Sequence, residues 1–375
     1  MSPEGFRALT ANLLTGLLPC ETMLHDACNM PYSDNIVQNK ALRYLEARLP
    51  GGWHLQRCHP SDLGMVVNLM GPDGKQSELF VQARQRLDPR DVPELARRMD
   101  TFRGSSGLPL VVSPFLTTRA RQLLKEANLS FLDLTGNCWF VSSSPGLFIC
   151  TSGQETNPNP EDRPVRSLKG PVAGRVVRAL CDFHAPVGIR ELAARSHADP
   201  GYVSRLLTVL EREALIVRGH RALVQEVKWR ELILRWAGDF SPFSPSRVYR
   251  FLDPRGLNAF FDKLRQFPQR YAITGSAAAA VVAPLAPARL AVSYVDDPEE
   301  ASDTLGLRPA EAGVNVMLVS PFDPVVYERI LEKNGLVFAS LSQVAADLLH
   351  APGRAPEEAT ALLDWMASNE SVWRT

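Results

Sequence analysis

Residues 198–219, ADPGYVSRLLTVLEREALIVRG, decide how this chain is read. Asp199 is a fitting N-cap, because its carboxylate can accept from a backbone N–H left unpaired at a helix start. Pro200 suits the first helical turn, where a missing N–H costs nothing. Val203, Leu206, Leu207 and Leu210 then recur at steps of three and four, so they form one buried stripe of a helix. Tyr202, Ser204, Arg205 and Thr208 fall outside that stripe, toward its N-terminal end. Residues 214–218 and 222–225 read as two strands joined by Gly219, His220 and Arg221, a hairpin with a basic tip.

Working upstream, Val172, Val176, Val177, Leu180 and Phe183 give a first helix with one buried face. Pro186-Val187-Gly188 breaks it. Residues 189–195 supply a short second helix that buries Ile189, Leu192 and Ala193, and Ser196-His197-Ala198 makes the turn. Helix, helix, turn, helix and hairpin predict a winged helix-turn-helix over residues 165–230. The segment resembles the winged helices of bacterial transcription regulators, with Ala214 standing where a glycine often does. Residues 163–230 hold 13 Lys/Arg against 6 Asp/Glu, a net +7 in a chain whose formal charge is zero. A cationic module of this shape points to a polyanionic partner, double-stranded DNA. Tyr202, Ser204, Arg205 and Thr208 are the expected base readers, since a recognition helix presents its N-terminal end to base edges. Arg218, His220 and Arg221 on the wing would meet phosphate or minor groove, with Arg190 a backbone contact. Protein docking is the competing use of such a module.

The N-terminal region alternates helix and strand. An amphipathic helix is expected at 39–49, strands at 53–57, 63–70, 79–83, 108–112 and 131–134, and helices at 92–100 and 117–127, with Gly71-Pro72-Asp73-Gly74 as a hairpin turn. This order resembles the PD-(D/E)xK restriction-endonuclease-like fold, whose acid and E-x-K residues bind magnesium and activate water. On that pattern Asp62 stands near the first acid, while Gln82 and Arg84 occupy the E-x-K positions. Guanidinium stays protonated near neutrality and cannot act as the base. The resemblance therefore implies a retired nuclease fold over residues 35–152. Asp133 to Asn137, DLTGN, reads as a strand-end turn that satisfies its own backbone.

Residues 152–164 form a polar, Pro-rich linker, and a second linker is expected at 241–245. Beyond it, Tyr271 to Ser276 is a strand running into an Ala-rich helix, followed by strands at 290–295 and 315–319 and helices at 341–350 and 356–366. Strand, Gly275-Ser276, helix resembles the opening of the nucleotidyltransferase fold, over residues 240–375. The following strand carries no acid, and Asp296-Asp297 would point to opposite faces of an extended strand and could not share one ion. A winged helix followed by such a domain, ending in LVFASLSQVAADLLHAPGRAPEEATALL, resembles the AbiE-type antitoxin and regulator family of type IV toxin–antitoxin systems. That resemblance implies an operator-binding repressor.

Composition sets the outer limits. At 375 residues, 45% hydrophobic and 22% charged, the chain is an ordinary globular α/β multidomain protein. No apolar stretch approaches the ~20 residues a membrane span needs, and a signal peptide is not expected. The six cysteines form no CxxC pair, so reduced thiols in a cytoplasmic setting are the default. Cys20, His25 and Cys28 lack a second ligand pair for zinc. The expected protein is a non-enzymatic DNA-binding regulator with no cofactor and no metal, a homodimer being one mode of operator binding. The alternatives are a nuclease acting through Asp62 and Gln82, a transferase using Ser276, and an antitoxin whose acidic end docks a basic partner. Residues 291–375 hold 14 acidic and 5 basic side chains.

Overall fold

The computed structural model describes residues 34–61, 64–103, 107–159, 167–243 and 247–375. They fall into two compact units divided at Asp162/Arg163.

In the first unit, α1 (Asp34–Glu46) precedes a hairpin run of β1 (His54–Ser61), β2 (Gly64–Met70) and β3 (Gln76–Ala83). α2 (Val92–Arg103), β4 (Leu108–Ser113), α3 (Thr118–Glu126) and β5 (Ser130–Asp133) follow, then a hairpin of β6 (Cys138–Ser143) and β7 (Gly146–Thr151). The strands lie in sequence order in one sheet, parallel from β3 to β5 and antiparallel on both sides. Period-two alternation explains the layers. Val81, Ala83, Leu110 and Val112 pack with Val37, Ala41, Leu42 and Leu45 of α1. Val111 and Phe131 point the other way, to Leu95 and Met99 of α2 and Leu124 of α3. Buried on both faces, β4 reads as a nearly unbroken apolar run, while β5 flanks Phe131 and Leu132 with the buried polar Ser130 and Asp133.

The second unit opens with α4 (Pro171–Asp182), α5 (Ile189–Arg195), α6 (Pro200–Arg212), the hairpin β8 (Ile216–Arg218) and β9 (Val224–Val227), and α7 (Trp229–Asp239). It continues through β10 (Val248–Leu252), α8 (Leu257–Leu264), β11 (Tyr271–Thr274), α9 (Gly275–Ala279), β12 (Ala291–Val295), α10 (Pro298–Thr304) and β13 (Arg308–Pro309). β14 (Val316–Val319), β15 (Leu331–Lys333), β16 (Leu336–Phe338), α11 (Leu341–Leu348), α12 (Ala355–Ser368) and α13 (Glu370–Trp373) complete it. The large sheet has the order β13-β10-β14-β12-β11-β16-β15.

The expected boundary between residues 165–230 and 240–375 does not separate two cores. One buried apolar cluster runs from Leu168 through Leu180, Leu207, Trp236 and Ile273 to Met366. The cause lies in α4 and α7: α4 has buried residues around its whole circumference, Arg178 included, so neighbours must cover it from every side. α11 supplies that cover on one side, through residues buried along its full length. Among the described residues no helix is long and apolar enough to cross a membrane.

Candidate nucleic-acid interface

Asp199 caps α6 as its sequence requires, Oδ1 accepting from Tyr202 N–H at 2.9 Å. Val203, Leu206, Leu207 and Leu210 are each 0% exposed, which fixes the helix rotation and turns Arg205 to solvent, with Ser204 and Thr208 half-buried. Thr208 Oγ1 donates to Ser204 O at 3.0 Å, leaving the hydroxyl oxygen as an acceptor. Burial raises the Tyr202 phenol above its ordinary range, while the neighbouring Arg205 guanidinium works the other way. The phenol is therefore a neutral donor beside a permanent cation. The turn before α6 is tight: Ser196 Oγ donates to Leu192 O at 2.6 Å, and His197 takes a left-handed φ of 47°.

The hairpin after α6 is shorter than the sequence suggests. Arg221 and Ala222 both adopt left-handed φ, 59° and 57°, so the chain reverses over residues 219–223 and β9 begins at Val224. His220 and Arg221 are exposed at its tip. Val187 adds a bridge to Val224, with backbone bonds of 3.1 and 3.0 Å, which ties the segment before α5 to the hairpin.

Of the residues expected to meet DNA, Arg190, Arg205, His220 and Arg221 are exposed, and the three arginines carry no ion pair among the described residues. Arg218 does not belong with them. It forms an ion pair with Glu211 of α6, both side chains mostly covered. Much of the module's positive charge is likewise spent inside the unit. Arg195 pairs with Glu191 at 2.6 Å, Arg230 with Asp364 at 2.7 Å, and Arg175 with Asp323 at 3.8 Å. The acidic C-terminal half thus pairs in part with the chain's own basic helices.

The degenerate positions fare differently. Asp62 lies outside the described residues, as do Cys20, His25 and Cys28. Gln82 is half-buried on β3, its Nε2 donating to Ala83 O at 3.3 Å. Arg84 follows the strand, its backbone N–H donating to Val112 O at 2.9 Å. Gly275 takes φ +66° where β11 turns into α9, and Ser276 sits half-buried in a helix of only five residues. Asp296 pairs with Arg270 at 2.6 Å, and Asp297 caps α10 by accepting from Glu299 and Glu300 N–H at 2.9 and 3.0 Å. Both carboxylates are occupied structurally. In DLTGN, Asp133 accepts from Leu116, Thr135 and Asn137, so this polar cluster holds its own turn.

Sequence reasoning missed a buried polar relay behind the interface. Arg178, 0% exposed, donates to Asp182 at 3.2 Å, Gln343 Oε1 at 3.0 Å, Val325 O at 3.2 Å and Glu328 O at 3.0 Å. Gln343 Nε2 donates to Asp347 at 2.8 Å, and Asp347 also accepts from Thr274 Oγ1 at 2.6 Å and Tyr294 Oη at 2.9 Å. Asp182 further accepts from Arg329 at 2.6 Å and from Ser342. Burial lifts the Asp347 carboxyl to about 6, the hydrogen bonds and Arg178 opposing it. The only trace in the sequence is the i, i+4 spacing of Arg178 and Asp182 on a helix whose one other charged residue is Arg175.

No family model and no curated protein matches the chain. Among solved structures it is similar to EndoMS in apo form, with 22% identity and a TM-score of 0.20, over 28% of this chain. The match spans about half of that protein, 48% of its chain, and a TM-score this low does not indicate a shared fold.

Proposed function

We propose that this protein is a sequence-specific DNA-binding transcription regulator without catalytic activity, and that residues 165–230 are its winged helix-turn-helix. One observation carries the reading. After the internal ion pairs are set aside, Arg190, Arg205 and Arg221 remain exposed, one each on the second helix, the third helix and the hairpin tip. These are the three elements that such a module applies to a duplex. Tyr202, Ser204, Arg205 and Thr208 supply donors and acceptors for base edges, His220 supplies a ring N–H donor, and Arg221 supplies charge for phosphate. The tail's resemblance to AbiE-type regulators agrees with this reading. The spent carboxylates at Asp296 and Asp297, and the arginine at position 84, support the absence of hydrolase or transferase chemistry.

The test is duplex binding as a function of salt, followed by selection from a random pool. The parent should retain duplex DNA in a salt-sensitive way. Arg205→Ala should cost ~1–3 kcal/mol on the selected sequence and relax its preference at the base pair it reads. A parent that binds no duplex at low salt, or magnesium-dependent turnover of DNA or nucleotides, would end this reading.

A further inference from the structure

The first unit holds a second concentration of arginine that the helical module does not explain. Arg84 is fixed to the end of the β3–β4 ladder by its backbone bond to Val112 O. Arg98 stands exposed on α2, whose Val92, Leu95 and Met99 are buried in the core of that face. Between them lies a cleft of about 260 Å³, lined also by Arg86, Asp91 and Glu94. Arg86 pairs with Asp88 at 2.8 Å, and Asp91 with Arg90 at 3.6 Å. Arg84 and Arg98 have no ion pair among the described residues, and Arg84 Nη1 reaches only Ala83 O at 3.5 Å.

Each guanidinium presents five N–H donors in a fixed fork. An oxyanion that accepts bidentate, charge-assisted bonds matches such forks, and here a half-buried Arg84 and an exposed Arg98 offer them from the same cleft. Two unpaired arginines against Glu94 leave the cleft positive. Arg98 rises from α2, whose back is buried, and Arg84 directly follows β3 with its backbone N–H tied to Val112 O, so both backbone positions are set before a ligand arrives.

We infer that Arg84 and Arg98 seat a phosphate group of a nucleic-acid backbone, so that the first unit grips DNA through charge alone. This rests on the chain being a DNA binder, and it adds a contact that carries affinity without sequence information. Glu94 keeps the seat modest, on the scale of one or two phosphate contacts.

The experiment uses the full chain. Binding of a selected duplex and of a scrambled duplex is followed across a salt series for the parent, Arg84→Ala/Arg98→Ala and Arg84→Lys/Arg98→Lys. In parallel, inorganic phosphate is followed by phosphorus NMR line broadening. The double alanine variant should lose roughly tenfold in affinity for both duplexes alike, with a salt slope shallower by about one to two. The lysine variant should keep most of both. Phosphate broadening lost with the alanines while duplex binding is untouched would overturn the nucleic-acid assignment and leave a free-phosphate seat. Parental affinity, slope and broadening in the alanine variant would overturn the seat altogether. If the parent binds no duplex, the regulator reading fails, and the phosphate arm still decides the seat. Should the double variant fail to fold, Arg98→Ala at the exposed position decides, with about half the slope change expected.

Discussion

Ala214 holds a backbone conformation that its side chain resists. It sits just past α6 at φ 55°, with Leu215 N–H bonded to Leu210 O at 2.9 Å and Ala214 N–H to Glu211 O at 3.0 Å. This is the Schellman ending, whose left-handed residue is usually glycine. Ala214→Gly should therefore stabilise the second unit by about 0.5–1 kcal/mol, read as a rise of ~1–4 °C in thermal midpoint. An unchanged or lowered midpoint would show that the strain is absorbed elsewhere. Two arginines of the β8–β9 hairpin separate at the same scale. Arg221→Ala should flatten the salt slope of DNA binding by about one. Arg218→Ala should leave that slope alone, because its charge is spent on Glu211, and should cost at most about 1 kcal/mol of stability. Equal slope changes in the two variants would contradict this division.

At the scale of elements, the start of α6 depends on a single cap. Asp199→Ala removes the acceptor for Tyr202 N–H and should cost ~1 kcal/mol, while Asp199→Asn should cost little. Because Tyr202, Ser204 and Arg205 stand in the turn next to the cap, amide exchange there should quicken in the alanine variant before any change in β8 and β9. Protection that stays uniform would argue against local fraying. The elements themselves were unevenly legible. Helices α2, α3, α6 and α11 announce themselves by apolar spacing, and β4 by its apolar run from Leu108 to Val112. The β6–β7 and β15–β16 hairpins were missed, although Asn334-Gly335, with φ 54° and 73°, is a strong hairpin turn. The strands of the second hairpin are too short to show alternation, β15 and β16 having three residues each, whereas β6 and β7, with six each, were long enough to be read.

At the scale of the second unit, the relay from Arg178 to Asp347 joins the basic helices to the large sheet. Removing one partner of such a buried set is expensive. Arg178→Met should cost ~3–5 kcal/mol by leaving Asp182 with less compensation, measured by chemical denaturation. Asp347 makes stability depend on pH in a defined direction. Its folded pKa, about 6, lies above the ordinary value of 3.8, so between these values the folded state binds more protons than the unfolded one. Its contribution is thus most favourable below about pH 4, is lost as pH rises toward 6, and is flat above, by about 3 kcal/mol in all. The groups acting on it are Tyr294 and Arg178, with Asp182 and Arg329 one step further. Asp347→Asn cannot titrate, so the parent-minus-variant stability should fall across pH 4–6. A difference that is constant over that window would show that Asp347 is ionised throughout.

By itself the sequence determined local structure and charge: the stripe of α6, its cap, the basic hairpin tip, and a +7 window in a neutral chain. These follow from spacing and residue type within a few turns, where one or two physical terms dominate. Tertiary structure alone decided which charges are free. Arg205 and Arg218 look alike in a string of letters, and only folding brings Glu211 to one and leaves the other in water. The same holds for the merged core of residues 163–375. Arg178 meets Gln343 across 165 positions, and no local pattern encodes a contact made by chain reversal through a whole sheet.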